Sequence, residues 1–338
     1  MKILYAIQGT GNGHLSRAKD IVPILQKKGE VDVLVSGTQT DIFSPFPIKY
    51  QFNGLSLVFG KNGGIDYVST YLQMDMIRLL KDIDKIPIED YDLIINDFEP
   101  ITAWACKQKK LQCISLSHQN AVLSKNAPKP KKKDALGRTV LKYYAPSTVQ
   151  YGFHFSKFDK NIYTPVIRNE IRNLKPTTKK HYTVYLPAYD DSRLIKNLKQ
   201  FKNVQWEVFS KHNKKIIKED NITIQPINNE LFINSLAGCI GVLCGAGFET
   251  PAEALFLKKK LLVIPMKTQY EQQCNAAALQ KMGVPVIKSL KKKHHWVIKD
   301  WIAFGKSIPV NYPDITEQII DSIISSHYLK KSYTPALK

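Results

Sequence analysis

Short apolar runs alternate with amphipathic stretches along the first half of the chain. Strands are predicted from the apolar runs at 3–7, 31–35, 92–96 and 112–116. Helices are predicted from apolar residues at helical spacing at 15–28, roughly 70–82 and 100–109. Such alternation is typical of a parallel sheet covered by helices. The N-terminal half is therefore predicted to be a Rossmann-like α/β domain.

A polar, proline-containing stretch at 164–181 separates this half from a second alternating series and is predicted to be a linker. The second series predicts strands at 182–186, 204–209, 222–225, 240–244 and 261–265, and helices at 191–200, 229–236, 250–257 and 270–282. The 338 residues exceed the usual size of one domain. We therefore predict domains at 1–163 and 182–312, followed by a C-terminal helical segment at 313–338.

Composition favours a cytoplasmic protein with ordinary packed cores. No apolar run approaches the ~18 to 20 residues of a membrane helix. The N-terminal apolar run, Ile3–Ile7, is too short for a signal peptide. The five cysteines form no C-x-x-C pair and are odd in number, which argues against a disulfide framework and against a zinc ribbon. We expect them to be reduced and mostly buried.

Positive charge is the unusual feature of the composition. The formal charge is +20, and the segment Lys125–Lys142 holds seven basic residues against Asp134 alone. Such a segment attracts an anionic surface, either acidic phospholipid or nucleic acid, or it is only a solvated face. Because no aromatic residues are interleaved with the basic ones, nucleic acid is not expected as a partner. An anionic membrane is the partner that we retain.

The first candidate site is the glycine loop between strand 3–7 and the following helix. It supplies Gly11, Asn12, Gly13, His14 and Arg17. His14 can accept a proton near neutral pH, or it only contacts phosphate. Asn12 is either a cap of the helix predicted from Leu15 or a substrate contact. Arg17 is placed either to hold a phosphate or to pair with Asp20.

Polar residues also follow the next two strands, where the cleft of such folds lies. Asp97 ends one strand and precedes Pro100, so it is either a helix cap or a second general base, and the cap is favoured. His118 and Asn120 follow the strand 112–116 and are candidate cleft contacts or loop-stabilising residues.

A second glycine turn precedes the helix predicted at 250–257. Free backbone amides at such a helix start bind phosphate, and this assigns Gly245, Ala246, Gly247, Phe248 and Thr250 to a diphosphate site. Thr250-Pro251-Ala252-Glu253 also has the form of a capping box. The next helix start offers Glu271, Gln272 and Asn275 to sugar hydroxyls, or is simply a polar helix start.

Three blocks carry a family resemblance and occur in the same order as in that family. They are the first glycine loop, Ser117–Val122, and Cys244–Ala276. Together they resemble GT-B glycosyltransferases of the family 28 type, which includes the peptidoglycan-synthesis N-acetylglucosaminyltransferase. Gly11-x-Gly13-His14-x-x-Arg17 also resembles nucleotide-sugar hydrolases of the same fold. The resemblance implies an α/β GT-B fold, in which two Rossmann-like domains with parallel sheets face each other across a cleft.

The resemblance also assigns roles to individual residues. It implies that Glu253 binds the ribose hydroxyls, and that Glu271, Gln272 and Asn275 contact the sugar. It makes His14 the base, as in the hydrolases, and makes Asn120 a contact of donor or acceptor. The C-terminal helix is expected to pack back on the first domain. One departure is the loop at 187–192, where Asp190 and Asp191 would repel a diphosphate unless they turn away.

Together with these residues, the resemblance implies an inverting, metal-independent glycosyltransferase of the cytoplasm. Its expected substrates are a nucleoside-diphosphate sugar, with UDP favoured, and an acceptor glycan or glycolipid of the cell envelope. His14 and Asp97 are the candidate catalytic residues, and no metal or cofactor is expected. A nucleotide-sugar hydrolase is the first alternative, and a polyanion-binding protein is the second.

Overall fold

The computed structural model describes residues 1–10, 12–37, 44–54 and 76–329. Its strands are β1 Lys2–Gln8, β2 Glu30–Ser36, β3 Tyr50–Phe52, β4 Leu93–Asp97, β5 Ile114–Leu116, β6 Val149–Phe153, β7 Ile162–Tyr163, β8 His181–Tyr185, β9 Gln205–Ser210, β10 Ile217–Glu219, β11 Ile222–Pro226, β12 Gly241–Gly245 and β13 Lys260–Ile264. Its helices are α1 Asn12–Gln26, α2 Met76–Asp84, α3 Pro100–Lys109, α4 His118–Leu123, α5 Ala135–Tyr144, α6 Asn169–Arg172, α7 Asp191–Leu198, α8 Asn229–Gly238, α9 Glu249–Phe256, α10 Tyr270–Lys281, α11 His295–Phe304 and α12 Thr316–Ile324.

The first sheet is parallel throughout its described strands. Its order is β3-β2-β1-β4-β5-β6-β7, so β1 pairs with β2 on one side and with β4 on the other. Ile3 to Ile7 of β1 are completely buried, as the continuous apolar run predicted. The strand order reverses between β1 and β4. Loops at the carboxyl ends of these two strands diverge there and leave a crevice, the place where ligands bind in this class of sheet.

The second sheet repeats this plan with one addition. Its order is β10-β11-β9-β8-β12-β13, and the strand order reverses between β8 and β12. All its pairs are parallel except β10 with β11, which form an antiparallel hairpin. Strand β10 was not predicted from the sequence, because its three residues are all exposed and carry no alternation of apolar and polar positions.

Most predicted elements match the observed ones to within a few residues. Helix α1 begins earlier than predicted, at Asn12 and not at Leu15. His14 therefore lies in the first turn of the helix. Gly11 and the predicted helical positions 70–75 lie outside the described residues.

The last helix packs against the first helix of the chain. Helix α12 packs on α1, and Lys28 Nζ lies 2.8 Å from Asp321 and 3.3 Å from Glu317. Ile319, Ile320 and Ile323 of the same helix are buried in the core. The domain boundaries proposed above stay a prediction.

All five cysteines are free and buried. Among the described residues, none of the helices has both the length and the apolar character needed to cross a bilayer.

Candidate functional site

The two sheets meet at a cleft of about 580 Å³. Its walls are formed mainly by residues that follow β1 and β5 in the first sheet and β11, β12 and β13 in the second. The candidates that line it are Asn12, Gly13, His14, Arg17, His118, Gly247, Phe248, Thr250, Glu253, Glu271 and Gln272. Sequence blocks far apart along the chain are thus brought to one cavity.

His14 and Asp97 form a hydrogen-bonded pair at the first sheet's switch point. His14 Nδ1 lies 2.9 Å from Asp97 Oδ1. Because a carboxylate only accepts, the proton resides on Nδ1, and Nε2 is left as the basic nitrogen. Nε2 lies on the side of Gln119, 3.5 Å from its amide nitrogen. The histidine is oriented so that its basic nitrogen points toward the cleft.

Arg17 fixes the position of this pair. Its Nη2 donates to both oxygens of Asp97, at 2.8 and 2.7 Å, and its Nη1 donates to Glu249. The guanidinium is almost fully buried. Burial opposes ionisation of Asp97, but the charges of Arg17 and His14 outweigh it and lower the pKa of Asp97. Asp97 is therefore a permanent carboxylate, and Arg17 pairs with it and not with Asp20.

The prediction that Asp97 caps the next helix is wrong. Glu99 is the N-cap of α3, and its carboxylate accepts from the backbone nitrogens of Ile101 and Thr102, each at 2.7 Å. Phe98 between the two acids has a φ of 60°, the left-handed region. This turn separates Asp97, which faces Arg17 and His14, from the cap that Glu99 provides.

The glycine turn before α9 leaves room beside its backbone. A Cβ added to Gly247 would meet no atom within 4 Å, and one added to Gly245 would lie 3.7 Å from its nearest neighbour. Both glycines also line an adjoining pocket of about 160 Å³ at the carboxyl end of the second sheet. Basic side chains of that pocket belong to Arg193, Lys267, Lys288 and Lys291. An anion can approach the amides of this turn closely.

The capping box predicted at Thr250–Glu253 is not formed. Helix α9 starts earlier, at Glu249, and its N-cap Phe248 makes no side-chain capping bond. Glu253 instead accepts from Arg168, whose Nε and Nη2 lie 2.5 and 3.0 Å from its two oxygens. Both side chains are largely buried, and both line the cleft. Arg168 thereby holds the Glu253 carboxylate at the wall of the cleft.

The start of α10 contributes Glu271 and Gln272. Gln119 Nε2 donates to Glu271 at 3.0 Å, which links the two halves of the cleft. The Gln272 side-chain oxygen accepts from the backbone nitrogen of Met266 at 3.0 Å. Both residues border the cavity, and their contact with a sugar stays a prediction.

Three predicted contacts lie behind the cleft wall. Asn275 is fully buried, with its Oδ1 2.7 Å from His118 Nε2 and its amide nitrogen on the carbonyl oxygen of Ala246. Asn120 donates to Ser115 and to the Tyr151 carbonyl oxygen. Ala246 is also fully buried. The interpretation of Asn120, Asn275 and Ala246 as ligand contacts is therefore corrected, since their polar atoms tie backbone segments together.

His118 has a mixed position. It borders the cleft, yet its ring stacks on Phe248 at 3.9 Å and its Nδ1 donates to the carbonyl oxygen of Phe153 at 2.7 Å. Burial lowers its pKa. The ring joins the first domain to the start of α9.

The acidic loop after β8 does not oppose an anion. Asp190 caps α7 by accepting from the Arg193 backbone nitrogen at 2.8 Å, and Asp191 accepts from Ser210 Oγ. Neither borders the pocket, whereas Arg193 does. The expected repulsion is relieved because both carboxylates have turned away.

The cleft residues that were not predicted from the sequence include Glu249, Arg168 and Gln119. Each contacts a partner that is distant in the chain. Glu249 and Arg17 are 232 positions apart, and Arg168 and Glu253 are 85 apart. The only available signal was their location inside the three blocks or the linker.

Comparison with known proteins was consistent with this geometry. The family described as "Glycosyl transferase family 1" matches residues 1–304. No curated protein gave a significant match.

Solved structures with low sequence identity share the fold over nearly their whole length. MnaA of S. aureus, solved with UDP, has a TM-score of 0.58 at 13% identity and covers 97% of both chains. Arabidopsis thaliana UGT89C1, complexed with quercetin, has a TM-score of 0.57 at 12% identity and covers 97% of this chain and 99% of its own. MurG of Acinetobacter baumannii has a TM-score of 0.54 at 14% identity and covers 96% of this chain and 99% of its own. The predicted GT-B fold, with two α/β domains, is confirmed.

Proposed function

Because the chain belongs to glycosyl transferase family 1, and is thus a glycosyltransferase, we propose that it transfers a hexose or N-acetylhexosamine from a UDP-sugar to an acceptor hydroxyl with inversion. One observation carries this proposal. His14, which is bonded to the buried Asp97 of the first domain, and the glycine turn before α9 of the second domain border the same cleft. A base and an anion site are thereby brought to opposite walls of one cavity.

The donor is assigned mainly to the second domain. Its diphosphate would lie against the amides of Gly247 to Thr250, with the helix dipole of α9 adding stabilisation. The nucleoside would fill the adjoining pocket beside Arg193 and Lys288. Glu253, held by Arg168, would accept from the ribose hydroxyls. The MnaA structure contains UDP, which supports the choice of nucleotide.

Proton transfer is assigned to the first domain. His14 Nε2 would take the proton of the acceptor hydroxyl as that oxygen forms its bond to the anomeric carbon. The bond from this carbon to the diphosphate breaks on the opposite side, so the configuration inverts. Asp97 stabilises the imidazolium that results, and the charge that develops on the diphosphate is stabilised by the amides before α9.

The acceptor is proposed to be presented by an anionic membrane surface next to the first domain. Leu136 and Tyr143 of α5 are more than half exposed. Arg138 and Lys142 of the same helix are also exposed, and Lys142 Nζ lies 5.0 Å from the ring centroid of Tyr143. Lys131–Lys133 are exposed just before this helix. Lys129 does not contribute, because its Nζ donates to the carbonyl oxygens of Val122 and Ser124 at the end of α4. An apolar and basic face of this kind suits the headgroup region of anionic lipids.

A thermal-shift panel of nucleotides and nucleotide-sugars tests the proposal. A ligand that binds only the folded state stabilises it by RT ln(1 + [L]/Kd), about 4 kcal/mol at a thousandfold excess over Kd. UDP compounds should raise Tm more than the matching ADP and GDP compounds. No shift with any nucleotide would contradict the proposal. Free sugar released in the absence of acceptor, at a rate equal to transfer, would favour the hydrolase alternative.

A further inference from the structure

Glu249 is an acidic side chain at the place where an anion is expected. It is the first residue of α9 and borders the cleft together with Gly247 and Thr250. Its carboxylate closely approaches α1, since a Cβ on Gly13 would lie 3.2 Å from Glu249 Cγ. A negative charge here opposes the arrival of a diphosphate. The position therefore calls for an explanation.

The cation that balances Glu249 is shared. Arg17 Nη1 donates to Glu249 while Nη2 is occupied by both oxygens of Asp97. Arg17 is almost fully buried, so no solvent replaces a lost partner. If Glu249 loses its negative charge, its attraction for Arg17 Nη1 weakens. Arg17 then keeps its hydrogen bonds to Asp97, and Nη1 becomes available as a donor that faces the cleft.

The charges around Glu249 come from four elements. Arg17 and His14 belong to α1, Asp97 to β4, Glu253 to α9 itself, and Arg168 to the segment before α6. The three carboxylates Asp97, Glu249 and Glu253 face the imidazole of His14 and the two guanidinium groups. Glu170, which pairs with Arg168, adds further negative charge at the rim. A diphosphate would enter a cluster that already carries excess negative charge.

Burial raises the pKa of Glu249 to about 7, although Arg17 acts in the opposite direction. A proton is therefore available to this carboxylate close to neutral pH. A diphosphate placed nearby would raise the pKa further, since like charges favour the protonated form.

We propose that Glu249 occupies the phosphate end of the cleft before the donor binds and takes up a proton from solvent when the diphosphate arrives. Protonation neutralises Glu249 and releases Arg17 Nη1 to donate to the phosphate. Glu249 is thus a positioning residue, which couples donor binding to the Arg17–Asp97–His14 network. This inference rests on the proposed binding of a nucleoside diphosphate.

The coupling has a definite pH dependence. Donor binding raises the pKa of Glu249. Proton uptake therefore occurs at pH values above the pKa that Glu249 has in the free protein, about 7. Affinity should be constant below that pH. Above it, affinity should fall about tenfold per pH unit until the pKa of the complex is reached.

Calorimetric titration with UDP between pH 7 and 9, in two buffers of different ionisation enthalpy, measures the uptake directly. The terminal phosphate of UDP ionises near 6, so it is already charged in this range. We expect uptake of nearly one proton at pH 8. Glu249→Gln should abolish the uptake and bind UDP about tenfold more tightly than wild type at pH 8. Glu230→Gln, which replaces an exposed acid in the first turn of α8, should behave as wild type.

Each alternative result has a separate meaning. UDP binding by the wild type without proton uptake would overturn the role of Glu249 and leave the proposed function intact. Uptake that persists in Glu249→Gln would assign the proton to another group and would also overturn it. Failure of UDP to bind at any pH would contradict the proposed function itself.

Discussion

Two of the helix starts that border the cleft, those of α1 and α9, are built in opposite ways. At the start of α1, His14, Asp97 and Arg17 bind one another through side chains, and their geometry is set before any substrate arrives. At the start of α9, Gly245 and Gly247 have open space beside the backbone. Both follow a strand at the switch point of a sheet, β1 in the first sheet and β12 in the second.

The difference matches two kinds of chemistry. A proton-transfer group must be held in one tautomer and one orientation, which requires buried, charged neighbours. An anion site needs backbone amides that a phosphate can reach, which requires the absence of side chains. Each sheet has a crevice at its switch point. The side chains of the first domain suit proton transfer, and the open backbone of the second suits anion binding.

Removal of the base should have the largest effect. We expect His14→Ala to lower turnover by roughly 10²- to 10⁴-fold, because proton transfer from the acceptor is lost. The measurement is steady-state transfer from the UDP-sugar identified by the thermal-shift panel. His212→Ala serves as the control and should keep wild-type turnover, since His212 lies outside the cleft lining. Near-normal turnover of His14→Ala would assign the base elsewhere.

Binding of the first domain to an anionic membrane can be weakened separately from catalysis. Changing Lys131, Lys132 and Lys133 to alanine should reduce binding to anionic vesicles by up to about a hundredfold, since each basic residue near the surface adds about 1 kcal/mol. Co-sedimentation at low and high salt measures the effect, which should fade as salt rises. Equal recovery on neutral and anionic vesicles would remove the membrane role.

A substitution of Glu253 tests whether the second domain also binds its ligand through a side chain held in place by a buried partner. Glu253→Gln should weaken UDP binding about ten- to a hundredfold, because charged hydrogen bonds to the ribose are lost. Since Arg168 is left partly unpaired, the free energy of unfolding should also fall, by about 3 kcal/mol. Calorimetry and a thermal melt read the two effects independently. Unchanged affinity with a lowered Tm would make the Glu253–Arg168 pair purely structural.

Two glycines close to one another in the chain should respond differently. A Cβ on Gly241, at the start of β12, would lie 2.9 Å from Trp301, so Gly241→Ala should lower the free energy of unfolding by about 1–3 kcal/mol. Gly247→Ala meets no neighbour and should melt within about 0.5 kcal/mol of wild type. Denaturant melts compare them. A strongly destabilised Gly247→Ala would contradict the view that its free space serves a ligand.

The sequence predicted the alternation of strands and helices well, because local periodicity carries that information. It also identified His14 and the α9 turn, which lie in glycine-rich strand-to-helix connections. It could not decide between Asp97 and Glu99 as the helix cap, because that choice depends on the left-handed turn at Phe98. The capping-box interpretation failed for a related reason, since α9 begins one residue before Thr250.

The charge partners were not predictable from local pattern. Arg17 pairs with Glu249 across the cleft, and Arg168 of the linker pairs with Glu253. Such pairs depend on how the two domains pack together, which cannot be predicted from the spacing of residues along the chain. For the same reason Asn275 had the form of a sugar contact, whereas it bonds to His118 from the other domain.

The division of labour between the two helix starts is tested most directly by titrating UDP into His14→Ala and Gly247→Ala side by side. The methyl group of Gly247→Ala would occupy space that a phosphate needs, whereas His14 acts on the acceptor. We predict a Kd for His14→Ala within about threefold of wild type, and a Kd for Gly247→Ala at least about tenfold higher, a loss of about 1.4 kcal/mol. The opposite pattern, with weakened binding in His14→Ala and wild-type binding in Gly247→Ala, would contradict the account.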